Sequence, residues 1–154
     1  MKKYWLLFAL ICTATAASVS LGAVIAISNT QALAFGKFVA GSGGSVIVSA
    51  AGVRSASGGV VLVPSGGGAV AQFAVSGDPN VTYAITLPAD GVVSLASGAN
   101  TMTLNAFTSN PSGAGGVLGG AGTQTLSVGA TLAVGSNQAV GSYSGSFDVT
   151  VNYN

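Results

Sequence analysis

The feature that most constrains this chain is alternation with a period of two. It is clearest at the C-terminus, where Tyr143, Phe147, Val149, Val151 and Tyr153 share one phase and Ser144, Ser146, Asp148, Thr150 and Asn152 the other. Successive side chains of a β-strand point to opposite faces, so such a segment has one apolar and one wet face. The same period recurs upstream. Val46 and Val48 flank Ile47. Ala69, Ala71, Phe73 and Val75 alternate with Val70, Gln72 and Ala74, and Val81, Tyr83, Ile85 and Leu87 with Thr82, Ala84 and Thr86. Met102 and Leu104 sit between Thr101, Thr103 and Asn105. Leu126, Val128, Ala130, Leu132 and Val134 hold one phase across Gly129, which marks a bulge or bend. Residues 60–63 form a continuous apolar run, suited to a strand buried on both faces. No segment keeps a helical period. Eight or more short strands with Gly-rich turns predict an antiparallel β-sandwich.

Composition narrows the function classes. Hydrophobic residues make up 49% of the 154 positions and charged ones 5%, against about 25% in an ordinary soluble domain. Twenty-four glycines and many Ser, Thr and Asn interrupt the apolar residues after the N-terminus. The later chain therefore reads as a sheet with a neutral polar coat, with no spanning helix in it. The charged residues are Lys2, Lys3, Lys37, Arg54, Asp78, Asp90 and Asp148, too scattered to form the basic patch that nucleic acid requires.

The N-terminus carries an export pattern: basic Lys2 and Lys3, an apolar run over residues 4–12, then Ala14-Thr15-Ala16. Residues 1–16 are predicted to be a signal peptide cleaved after Ala16 or one residue later, with Ala32-Leu33-Ala34 as a rival site. Cys12 is the only cysteine and lies inside that run, so the exported domain would hold no thiol. The prediction is an exported protein that reaches the periplasm and then the cell surface, with no stable membrane span after cleavage.

Chemistry finds little to stand on. There is no histidine and no glutamate, which removes the commonest general base and leaves serines without an activating partner. Asp78, before Pro79-Asn80, and Asp90, before Gly91, read as turn formers. The Gly-rich stretch over residues 113–122 lacks the Lys-Ser/Thr of a phosphate loop and reads as a flexible connection. The expectation is a protein that is not an enzyme, with no catalytic residues, no metal site and no cofactor.

Residues 17–28 form a second alternating segment, in which Val19, Leu21, Ala23, Ile25 and Ile27 share one phase. The body of the domain is expected over residues 29–154. Burying the four larger of those side chains is worth about 1.5–3 kcal/mol each, so a sandwich lacking this strand would be marginal by itself.

The ending from Gly141 to Asn154, with Tyr153 penultimate and Gly141 fourteenth from the end, resembles that of chaperone–usher pilus subunits. Residues 25–154 more broadly resemble the secreted bacterial domain of unknown function family 4402, through Leu33-Ala-Phe-Gly36, Ser57-Gly-Gly-Val60, Tyr83-Ala-Ile-Thr-Leu-Pro88 and Gly122-Thr-Gln-Thr-Leu-Ser-Val-Gly-Ala-Thr-Leu132. The resemblance implies an immunoglobulin-like antiparallel β-sandwich, lacking or exchanging one strand, in a fimbria-associated protein. It implies an apolar groove along Gly141, Tyr143, Phe147, Val149, Val151 and Tyr153, filled by a donor strand, for which residues 17–28 with Val19, Leu21, Ala23, Ile25 and Ile27 are the candidate. The implied partners are other pilin-like subunits or copies of itself, with a periplasmic chaperone and an usher. The competing expectation is a self-contained secreted binding domain for carbohydrate or a surface partner, with residues 17–28 completing their own sheet.

Overall fold

The alternating segments become strands that pair over long distances. The computed structural model describes residues 22–112 and 115–154, and no helix occurs among the described residues. The strands are β1 (Ala26–Gln31), β2 (Phe38–Val39), β3 (Gly44–Val48), β4 (Arg54–Gly58), β5 (Val61–Leu62), β6 (Ala71–Ser76), β7 (Thr82–Thr86), β8 (Val93–Ser97), β9 (Asn100–Asn110), β10 (Gly116–Val117), β11 (Thr123–Val134) and β12 (Thr150–Tyr153). They make an all-β antiparallel sandwich.

The large sheet is built on β11. One of its edges takes β6 along Thr123 to Val128 and then β3 along Ala130 to Val134, and the other edge takes β9. β1 and β4 extend the sheet at its ends, and β8 pairs with β9. The β11–β9 register shifts between Gly129 and Thr131. There a side chain on Gly129 would strike the Val48 carbonyl, so the strand passes from β6 to β3 at the one residue without a Cβ. Opposite lies a three-stranded sheet of order β10-β7-β12, and β2 and β5 form a separate ribbon.

Two apolar clusters fill the interior. The first gathers Val46, Val48, Val93, Met102, Leu104, Leu132 and Phe35. The second places Ala71, Phe73, Val75, Leu126 and Val128 of the large sheet against Tyr83, Leu118 and Val151. Phe147 packs on both, edge-on to Phe73 with centroids 6.3 Å apart and tilted against Phe107 at 5.3 Å, arrangements that aromatic quadrupoles favour.

Three local expectations are corrected. The run over residues 60–63 is not a strand buried on both faces: only Val61–Leu62 pairs, and Val61 is exposed opposite exposed Val39, because the ribbon has solvent on one side. The connection over residues 113–122 is not wholly loose. Gly116 and Val117 pair with Tyr83 and Thr82 and Leu118 is fully buried, while residues 113 and 114 lie outside the described part. The final segment alternates as expected, with Tyr143, Phe147, Val149, Val151 and Tyr153 turned inward, but it is not one continuous strand. Only Thr150–Tyr153 pairs with β7, and Ser144 alone bridges to Ala96 of β8.

Candidate functional site

A cleft of about 1250 Å³ opens over the first cluster. One lip is residues 32–41 and the other residues 137–147; Phe73, Val93, Leu95, Met102, Leu104 and Leu132 form the floor. The lips meet at one end, where the Asn137 N–H donates to the Gly41 carbonyl at 3.2 Å, and no other backbone hydrogen bond joins them among the described residues. Ala34 exchanges both backbone hydrogen bonds with Ala69 at 2.8 Å. Ser144 does the same with Ala96, at 2.8 and 3.0 Å. Peptide groups of successive residues in a strand point to opposite edges, so Leu33 and Phe35 on one lip, and Tyr143 and Gly145 on the other, aim their N–H and C=O groups away from those partners. All four line the cleft. Two β edges thus face each other across an apolar floor.

Each lip is held from behind. Arg54, the only arginine, donates from its guanidinium to the Lys37 carbonyl at 2.5 Å and to the Val63 carbonyl at 3.4 Å. This ties the first lip to β4. On the second lip, the Tyr143 hydroxyl donates to the Ala139 carbonyl at 2.7 Å and accepts from Gln138 Nε2 at 3.0 Å. Val140, at the mouth, is wholly exposed.

At its other end the gap between the same two segments is shut. The Tyr153 hydroxyl donates to the Ala23 carbonyl at 3.0 Å and accepts from the Asp78 N–H at 2.6 Å. The Ala23 N–H in turn donates to the Asp78 carboxylate at 2.8 Å. This ring of three hydrogen bonds joins the segment that leads into β1 (the arm), the turn after β6 and the last strand. Gly77 makes room for it, since a Cβ there would collide with the Tyr153 hydroxyl. Below the ring, Ile25, Ile27, Val149 and Tyr153 pack on the second cluster.

The sequence-predicted residues divide accordingly. Gly141, Tyr143 and Phe147 line the cleft, whereas Val149, Val151 and Tyr153 belong to the closed end. Of the arm residues, Ala23 sits in the ring, Ile25 is half-buried, and Ile27 pairs with Val75 in the chain's own sheet. Val19 and Leu21 lie outside the described residues. The strand itself spans Ala26–Gln31, crossing the boundary expected after residue 28. Its polar end is fastened by side chains: Asn29 and Thr30 donate to the Gln72 carbonyl and Gln31 to the Val70 carbonyl.

Sequence reasoning missed the first lip, since residues 32–41 show no sustained alternation, and it missed the roles of Arg54 and Asp78, which depend on partners far away in the chain. Asp90 accepts from the Ala106 N–H at 2.6 Å, and Lys37 is exposed on the lip. Tyr83 is fully buried, with its hydroxyl on Gln124 at 2.7 Å; burial raises its pKa above the ordinary value of 10.0. Tyr83 therefore has no face to offer a sugar.

Fold and cleft define a class: an antiparallel β-sandwich with a cleft along one flank. The chain belongs to the family described as Domain of unknown function (DUF4402), whose model matches residues 25–153. No curated protein and no solved structure matches the chain.

Proposed function

We propose that this protein is a structural or adhesive subunit of a bacterial surface fibre, fimbria- or pilus-like, that assembles by donor-strand addition. The observation that carries the reading is the pair of unpaired β edges facing each other over the cleft floor. Unmet backbone donors and acceptors beside an apolar floor are what a strand from elsewhere satisfies, with backbone bonds giving affinity and alternate side chains filling the floor. The volume exceeds the roughly 300–1,000 Å³ of ordinary small-molecule pockets and suits an extended peptide. Among the described residues Lys37 is the only charged one in the lining, which matches an occupant without charge, and the chain has no charged residue between Lys3 and Lys37.

On this reading the chain is exported through its N-terminal segment, is held by a periplasmic chaperone whose strand covers the cleft, and passes to an usher and then to neighbouring subunits. The test is the assembly state of the exported protein, by analytical ultracentrifugation and electron microscopy. Linear multimers that resist mild detergent are expected. A species that remains single-copy at all concentrations and binds no hydrophobic dye at the cleft would overturn the reading. The second reading, a self-contained binding domain for carbohydrate or a surface partner, is favoured by the pairing of β1 with the chain's own β6, and it predicts that single-copy species.

A further inference from the structure

We propose that a second cavity, bordered like the cleft by residues 144–147, binds a neutral sugar. The site gives the adhesive role in the reading above a ligand class, and rests on that role rather than on how subunits join.

The cavity opens where the last segment changes partners. Ser144 pairs with Ala96 of β8, and Thr150 with Thr86 of β7. Neither ladder continues between these two points. In register, the next pair on the β7 side would be Pro88 with Asp148, and proline has no N–H to give. On the β8 side it would be Ser94 with Ser146, and no backbone hydrogen bond joins these two. The wedge left between β7 and β8 holds about 680 Å³, within the roughly 300–1,000 Å³ of ordinary small-molecule sites.

Its polar groups are free and of both kinds. Ala96 gives both backbone groups to Ser144, at 2.8 and 3.0 Å. Residues two apart in a strand address the same edge, so Ser94 turns one donor and one acceptor toward the cavity it lines. Of the three aspartates, Asp78 and Asp90 each accept a backbone N–H, at 2.8 and 2.6 Å. Asp148 is exposed and accepts none among the described residues; it is the only charged residue in this lining. Thr86, Ser146 and Thr150 add exposed hydroxyls. Pro88 and Val92, the latter 73% exposed, add an apolar shelf.

That inventory selects the ligand. The carboxylate repels anions. Alone, it cannot complete the shell of about six to eight oxygens that calcium takes. An alkylammonium ion would leave the Ser94 N–H unmatched. A sugar ring carries adjacent hydroxyls, each both donor and acceptor. Two of them can donate to Asp148 in charge-assisted hydrogen bonds, others match the Ser94 backbone pair, and the C–H face of the ring covers Pro88 and Val92.

The test titrates the full exported chain with methyl glycosides of glucose, galactose, mannose and N-acetylglucosamine, read by amide shifts in NMR. At least one glycoside is expected to move Ser94 and Asp148. Asp148→Asn and Val92→Asp should each weaken it at least tenfold, and Thr125→Ala, exposed on β11, should not. Retention on beads carrying neutral oligosaccharides marks the ligand as a glycan, and shifts without retention mark a free sugar; both sustain the site. No shift with any glycoside overturns the inference. So does equal affinity in Asp148→Asn, movement of Leu33 and Tyr143 instead, or tighter binding of calcium or propylammonium at the same amides. Ultracentrifugation of the same samples keeps the two claims apart. Multimers that bind no sugar sink the site alone, and a single-copy species that binds sugar at Ser94 keeps the site and sinks the fibre.

Discussion

The two halves of the interior share strand β11 and the same chemistry, yet one is closed and the other open. Over the second cluster the arm and the last strand meet, through Ile25, Ile27, Val151 and Tyr153, and the Tyr153 ring locks them together. Over the first cluster the continuations of those same two segments are joined only where the Asn137 N–H meets the Gly41 carbonyl, among the described residues, and otherwise border a cleft of about 1250 Å³. The difference lies in backbone pairing, since both clusters are built of aliphatic and aromatic side chains.

That contrast can be broken most forcefully in the core. Leu126→Ala, in the closed half, is expected to cost about 2–5 kcal/mol, because Leu126 is fully buried and a cavity would remain. Leu95→Ala, on the half-buried cleft floor, should cost clearly less. Urea unfolding midpoints of the two variants compare them directly, and equal losses would mean that the cleft is not open in solution.

Next in size is Arg54→Met, which keeps the apolar stem and removes the guanidinium that holds the Lys37 and Val63 carbonyls. Hydrogen bonds from charged groups contribute about 1.5–3 kcal/mol, and a loss of that order is expected in the same assay. Amide exchange should rise along residues 32–41 and stay unchanged along β1. Tyr153→Phe does the reverse. It deletes the hydroxyl of the ring, costs about 1 kcal/mol, and should speed amide exchange in residues 23–31 without altering the first lip.

The smallest effect is seen only in alkali. Burial raises the folded-state pKa of Tyr83 above 10.0, so the unfolded chain ionises first. The stability this group contributes is complete below pH 10 and is lost as pH climbs through the raised folded value. Tyr83→Phe should flatten the decline of the unfolding midpoint above pH 10, provided that its other effect, the loss of the Gln124 bond, is taken as a pH-independent offset.

Much of the fold was legible in the chain. Alternation at Phe73 and Val75, at Tyr83, and at Leu126, Val128, Leu132 and Val134 named buried faces that the structure buries. Gly129 announced the irregularity that lets β11 serve two partners on one edge. The candidate site was half legible: Gly141, Tyr143 and Phe147 were in view, but the opposite lip was not, because Leu33 and Phe35 stand in a stretch without a regular pattern.

By itself, then, the sequence determined which side of each strand is apolar, where turns must fall, and that the product is an all-β sandwich of the DUF4402 family. Only the tertiary structure decided which edges are paired: that residues 143–153 pair with β8 at one residue and with β7 at four, that Ala23 is tied to Asp78 and Tyr153, and that a cleft opens between residues 32–41 and 137–147. The reason is that alternation records side-chain direction, which is local, whereas a backbone edge is the same polar ladder in every residue and is assigned a partner only when distant segments come together.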